Sequence, residues 1–148
     1  MEEKRIYDLL ERTEKFSLGI RDFCLKLKRD MINREYIVQL IRAAGSVAGN
    51  YIEANENLGE GDLKYRIKVC RKESKESKMW LKHILTYENE ELEKKRAELM
   101  REAFELEQIF GAILKSLFRK IRLKQRLNNS DVSHFGFRNS LFEFIIWN

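Results

Sequence analysis

Four stretches of this chain carry apolar or small residues at alternating intervals of three and four. Positions 6, 9, 13, 16, 20, 23 and 27 are Ile, Leu, Thr, Phe, Ile, Phe and Leu, and positions 37, 40, 44, 47, 51, 54 and 58 are Ile, Leu, Ala, Val, Tyr, Ala and Leu. Positions 67, 70, 74, 77, 81 and 84 are Ile, Cys, Ser, Ser, Leu and Ile, and positions 99, 103, 106, 110, 113 and 117 are Leu, Ala, Leu, Phe, Ile and Leu. Such spacing keeps one face of an α-helix against a neighbour that crosses at a shallow angle. Four such seams in 148 residues predict an all-α fold, an antiparallel up-down-up-down four-helix bundle. The absence of proline agrees with long helices.

Local turn chemistry sets the expected boundaries. Helix one should span about residues 4–28, followed by a connection over 29–34 with Asn33 as the N-cap of helix two, residues 34–57. Gly59 and Gly61 break the chain, and Asp62 is placed to cap helix three, residues 63–87. Asn89 is a weak stop, and Glu90 and Glu91 oppose the dipole of helix four, residues 90–126. Residues 1–126 thus form the bundle domain. Beyond them, Asn128 to Asp131 is rich in turn formers, and Phe135, Phe137, Phe142 and Phe144 alternate with Gly136, Arg138 and Glu143 in a period of two. A lone strand cannot satisfy its backbone against a helical bundle. Residues 127–148 therefore read as a short non-helical or disordered aromatic tail, or one packed along the bundle or paired with another copy.

Catalytic constellations are missing, so no enzyme activity, metal or cofactor is expected. The two histidines, His83 and His134, follow Trp80 and Asp131 by three positions, where a di-iron bundle needs glutamate. Gly59-Glu-Gly61 lacks the Gly-Lys-Ser/Thr of a phosphate loop. Cys24 and Cys70 fall in apolar stretches and read as small buried thiols, not a disulfide framework. Nothing resembles a signal peptide or the roughly 20 apolar residues of a membrane span, so a cytoplasmic protein that does not enter the membrane is expected.

Charge carries the best functional signal. Twenty-nine lysines and arginines against 24 acids give a net charge of only +5, so most of it is balanced. Helix three is different: Lys64, Lys68, Arg71, Lys75, Lys78 and Lys82 recur at intervals of four and three. They make a stripe about 27 Å long that can track a phosphate backbone or pair with the acids opening helix four, from Glu90 to Glu107. A second cluster, Lys115, Arg119, Lys120, Arg122, Lys124 and Arg126, contains no acid. It can serve an anionic partner or the helix dipole.

Helix two has a strip of small residues. Gly45 and Gly49 lie one turn apart, and a glycine within a helix costs about 1 kcal/mol relative to alanine. This predicts close approach by another helix, within the protomer or between copies. Asn50 and Glu53, with Asn57, run beside the strip and suit a polar network in helix packing or assembly.

The run Ser46-Val-Ala-Gly-Asn-Tyr-Ile-Glu-Ala-Asn-Glu56, with Gly59 to Asp62 and Arg66 to Leu81, resembles the four-helix-bundle family encoded in 23S rRNA intervening sequences. Asn50, Glu53 and Glu76 occupy the positions of its motif, and the similarity covers about residues 5–120. The chain is also similar to the accessory proteins of diversity-generating retroelements. The resemblance implies a ring-like homo-oligomer, typically a pentamer, and association with nucleic acid, but no catalytic residues. Together these readings describe a non-enzymatic oligomeric bundle that binds RNA or DNA through basic helix faces. The alternative is a protein-binding scaffold or accessory subunit whose partner is another protein.

Overall fold

The structure, a computed structural model, describes the backbone of residues 2–56 and 59–146 and the side chains of residues 9–56 and 59–128. Four helices follow one another: α1 (Glu2–Leu25), α2 (Met31–Asn55), α3 (Glu60–His83) and α4 (Glu90–Ile146). No strand occurs among the described residues. The chain divides into two compact units, Met1–Leu114 and Lys115–Asn148, with the division inside α4.

In the first unit, contacts between helices fix the topology. Arg12 meets Glu102 and Lys26 meets Glu91, so α1 and α4 run in opposite directions. Arg66 reaches Glu53, while Tyr36 lies 6.0 Å from Trp80, so α2 and α3 are antiparallel too. Lys78 meets Glu107 and Arg71 lies over Gly111, which makes α4 antiparallel to α3. Tyr51 of α2 and Phe110 of α4 meet across the middle, ring centres 5.7 Å apart. The four seams face inward as the spacing predicts. Leu9, Phe16, Ile20, Phe23, Leu40, Val47, Ile67, Leu81, Leu106 and Phe110 are all buried in one core cluster. Near the end of the unit, Leu114 is buried and Ile113 only half-buried, a drift expected of a helix with 3.6 residues per turn read against a 3.5 repeat. Ile6 and Leu58, also seam positions, lie outside the described side chains.

Small polar residues in the seams are satisfied by their own helices. Thr13 Oγ1 donates to Leu10 O, Ser74 Oγ to Cys70 O, and Ser77 Oγ to Glu73 O, at 2.8–2.9 Å. A hydroxyl bonded back to the preceding turn can be buried without an unpaired donor.

Two expected caps are corrected. Asp30, not Asn33, caps α2: its carboxylate accepts from the backbone N–H groups of Ile32 and Asn33 at 2.9 and 3.0 Å. Asn33 is wholly buried, because its amide serves two loops at once. Its Nδ2 donates to Lys28 O and Leu85 O, and its Oδ1 accepts from Leu85 N. Gly59, at φ 140°, stands at the N-cap of α3 without a side-chain cap bond, in a conformation glycine adopts without strain. Asp62 sits inside the first turn and pairs with Arg66. Asn89 is an N-cap as well as a stop, accepting from Leu92 N at 3.0 Å. Helix three ends at His83, earlier than expected, because the backbone turns extended at its C-cap, Ile84 (ψ 132°), and Tyr87 and Glu88 then take left-handed φ values of 54° and 60° in the connection.

In the second unit the backbone of α4 runs on to Ile146, past the expected helix end at 126. Asparagine, serine and aspartate inside a helix each cost less than about 1 kcal/mol relative to alanine, so without proline none of them has to stop it. The aromatic side chains from residue 135 onward lie outside the described residues, and with them the packed or paired arrangements considered for the tail.

Candidate nucleic-acid interface

At 100° per residue, Lys64, Lys68, Arg71, Lys75, Lys78 and Lys82 fall within an arc of about 80° on α3. The seam Ile67, Cys70, Ser74, Ser77 and Leu81 is turned into the core beside them. Lys68, Arg71, Lys75 and Lys82 are exposed, and Lys64 and Lys78 half-buried.

Whether this stripe is neutralised depends on where the acids of α4 point, and most point elsewhere. Glu102 takes a two-pronged bond from Arg12 of α1, at 2.6 and 2.9 Å, and Glu105 pairs with the same guanidinium. Both carboxylates hold that guanidinium firmly in its charged form. Glu91 binds Lys26, just past the end of α1, which keeps its carboxyl below the usual range. Glu98 pairs with Lys95, and Glu93 accepts from Thr86 Oγ1 and pairs with Arg96, within α4 or its entry loop. Only Glu107 among these reaches the stripe, 2.9 Å from Lys78 Nζ. Arg71, Lys75 and Lys82 make no ion pair among the described residues. Beside them, Lys72 pairs with Glu76 at 3.3 Å. A groove of about 500 Å³ opens along this face, lined by Lys72, Lys75, Glu76, Lys78, Met79 and Lys82. It is cationic at its rim and has the apolar Met79 among its walls.

Arg119, Lys120 and Arg122 are exposed in the second unit, in a run with Lys115, Lys124 and Arg126.

The expectation that Gly45 and Gly49 admit a close neighbour within the protomer is corrected: a Cβ built on either glycine meets nothing within 4 Å. The strip lies on the outer face of α2, flanked by exposed Val38, Ile41 and Ile52. The seam on the opposite side of the helix already supplies the contact to α1 and α3. The polar network, by contrast, closes within the protomer. Arg66 Nη1 donates to Asn50 Oδ1 at 3.1 Å and pairs with Glu53 Oε2 at 2.5 Å, while Asn50 Nδ2 donates to Ser46 O at 2.9 Å. Asn57 lies outside the described residues.

Cys24 and Cys70 are free and buried, and burial pushes each thiol up to about 12. His83, at the end of α3, is exposed and stacks edge-on to Tyr36 at 5.3 Å. No group of three histidine, cysteine, aspartate or glutamate side chains among the described residues could hold a metal ion, and no described helix is long and apolar enough to cross a membrane. The sequence reading missed Arg12, the link between α1 and α4, and Asn33 as a two-loop clamp. Neither had a local signal, since their partners are 90 and 52 residues away.

No family model matches the chain, and no curated protein matches it. Among solved structures, the fold is similar to that of a Bacteroides thetaiotaomicron protein described as of unknown function and from the S23 ribosomal protein family. The TM-score is 0.61 at 18% identity, over 72% of this chain and 97% of that one. The likeness is one of fold.

Proposed function

We propose that this protein is a non-enzymatic, cytoplasmic, oligomeric four-helix bundle that binds RNA or DNA through the basic face of α3, with Arg119, Lys120 and Arg122 as a second contact. The observation that carries the reading is the diversion of α4's acids to Arg12, Lys26 and α4's own cations, which leaves Arg71, Lys75 and Lys82 available to phosphates. The fold likeness to a protein described as from a ribosomal protein family supports the reading loosely. Self-association, in a ring such as the pentamer the sequence resemblance implies, would use the open glycine strip of α2, where small residues let backbones approach and exposed Val38, Ile41 and Ile52 supply apolar area.

The test is charge reversal at Lys68, Arg71, Lys75 and Lys82 together. Lys78 is spared because reversing it would set two carboxylates side by side at Glu107. Binding of a labelled 20-nucleotide RNA should fall at least a hundredfold with the melting temperature unchanged. For a duplex probe held by four such contacts, raising salt from 50 to 200 mM should weaken the wild type roughly a hundredfold through counterion release. Affinity that survives the charge reversal overturns the reading.

A further inference from the structure

Phe104 of α4 is off the core seam and 48% exposed. It stands beside the α3 stripe: Lys78 Nζ lies 4.8 Å from its ring centre, and the same lysine lines the groove with Lys75, Met79 and Lys82. Two acids near it in sequence are already engaged, Glu105 by Arg12 and Glu107 by Lys78. Nearly half an aromatic ring therefore stays open to solvent next to a row of cations, in a patch with its negative charge largely cancelled.

We propose that this face takes a single-stranded nucleic acid, with Phe104 as the platform on which one base stacks while Arg71, Lys75 and Lys82 hold the flanking phosphates. The proposal rests on the nucleic-acid reading above and narrows it to unpaired strands. A duplex keeps its bases stacked inside, so an exposed ring on the protein surface meets only its backbone, whereas a single strand can turn a base onto the ring. The contact does not depend on which base is offered, because every base has a π-face. Lys78 over the ring adds a cation–π contact that fixes where the platform stands.

The experiment compares binding of a fluorescein-labelled 20-nucleotide oligothymidylate and a 20-base-pair duplex by wild type, Phe104→Ala and Phe104→Trp. Alanine should weaken single-strand binding about five- to hundredfold, leave duplex binding within about twofold, and leave the slope of log affinity against log salt unchanged. Tryptophan should restore single-strand binding. Circular dichroism and light scattering on each variant check fold and mass. An equal loss on both probes, no loss on either, or a changed mass with unchanged binding overturns the stacking proposal while leaving the basic face intact. If the wild type binds neither probe, or the charge-reversed α3 variant binds both as well as the wild type does, the underlying reading fails instead.

Discussion

A single buried amide ties the α1–α2 and α3–α4 connections together. Asn33 makes three hydrogen bonds of 2.9–3.0 Å to Lys28 and Leu85, residues on two different loops. Replacing it with alanine leaves one backbone N–H and two carbonyls of these half-buried bonds without their partner. Asn33→Ala should cost about 2–4 kcal/mol, read as a shift of the urea midpoint. Cys24 and Cys70 set the alkaline edge. Their thiols ionise near 12 when folded and near ~8.5 when the chain is open. The unfolded chain therefore sheds these protons first. Their contribution is whole below about pH 8.5 and is lost as pH rises toward 12. Urea midpoints at pH 10.5 should lie below those at pH 8, and the gap should narrow in Cys24→Ala/Cys70→Ala. Below pH 9, iodoacetamide should modify neither cysteine until the protein unfolds.

Each helix is amphipathic in two senses: an apolar seam decides where it packs, and a charged or small-residue face decides what is left for a partner. On α2 the free face is the glycine strip. With no neighbour beyond the helix's own backbone within 4 Å of a Cβ added at either glycine, Gly45→Ala and Gly49→Ala should each stabilise a lone chain by about 1 kcal/mol through helix propensity. Gly49→Leu should keep the helical circular dichroism signal and lower the mass in solution, if copies meet there as proposed; an unchanged mass would argue against that contact. The elements were largely legible in the sequence, because periodicity is a property of neighbours three and four residues apart. The seam from Leu9 to Leu27, for example, is buried at every described position. The helix ends were less so. Asp30 and Asn33 are both good cap residues by type, and only the bonds to Leu85, 52 residues on, decide which is spent on the cap. The basic stripe was visible as spacing, but its electrostatic freedom was not, since that depended on Arg12 and Lys26 drawing α4's acids toward α1.

At the scale of the molecule, the core cluster from Leu9 to Leu114 belongs wholly to the first unit. A chain ending at Arg126 should keep its melting temperature within a few degrees, checked by differential scanning calorimetry; loss of a cooperative transition would mean that the second unit supports the first. The two poles of the bundle are held unequally. At one, Asp30 and Asn89 cap helices, Asn33 joins two connections and Arg96 donates to Ile84 O at 2.9 Å. At the other, α3 begins at Gly59 with no side-chain cap bond among the described residues. Opening should thus have a direction. In deuterium oxide, amides of the first turn of α3 should exchange early, and those around Asn33 and Leu85 should hold out until the whole bundle comes apart, like a book that falls open from its fore-edge while the spine stays bound.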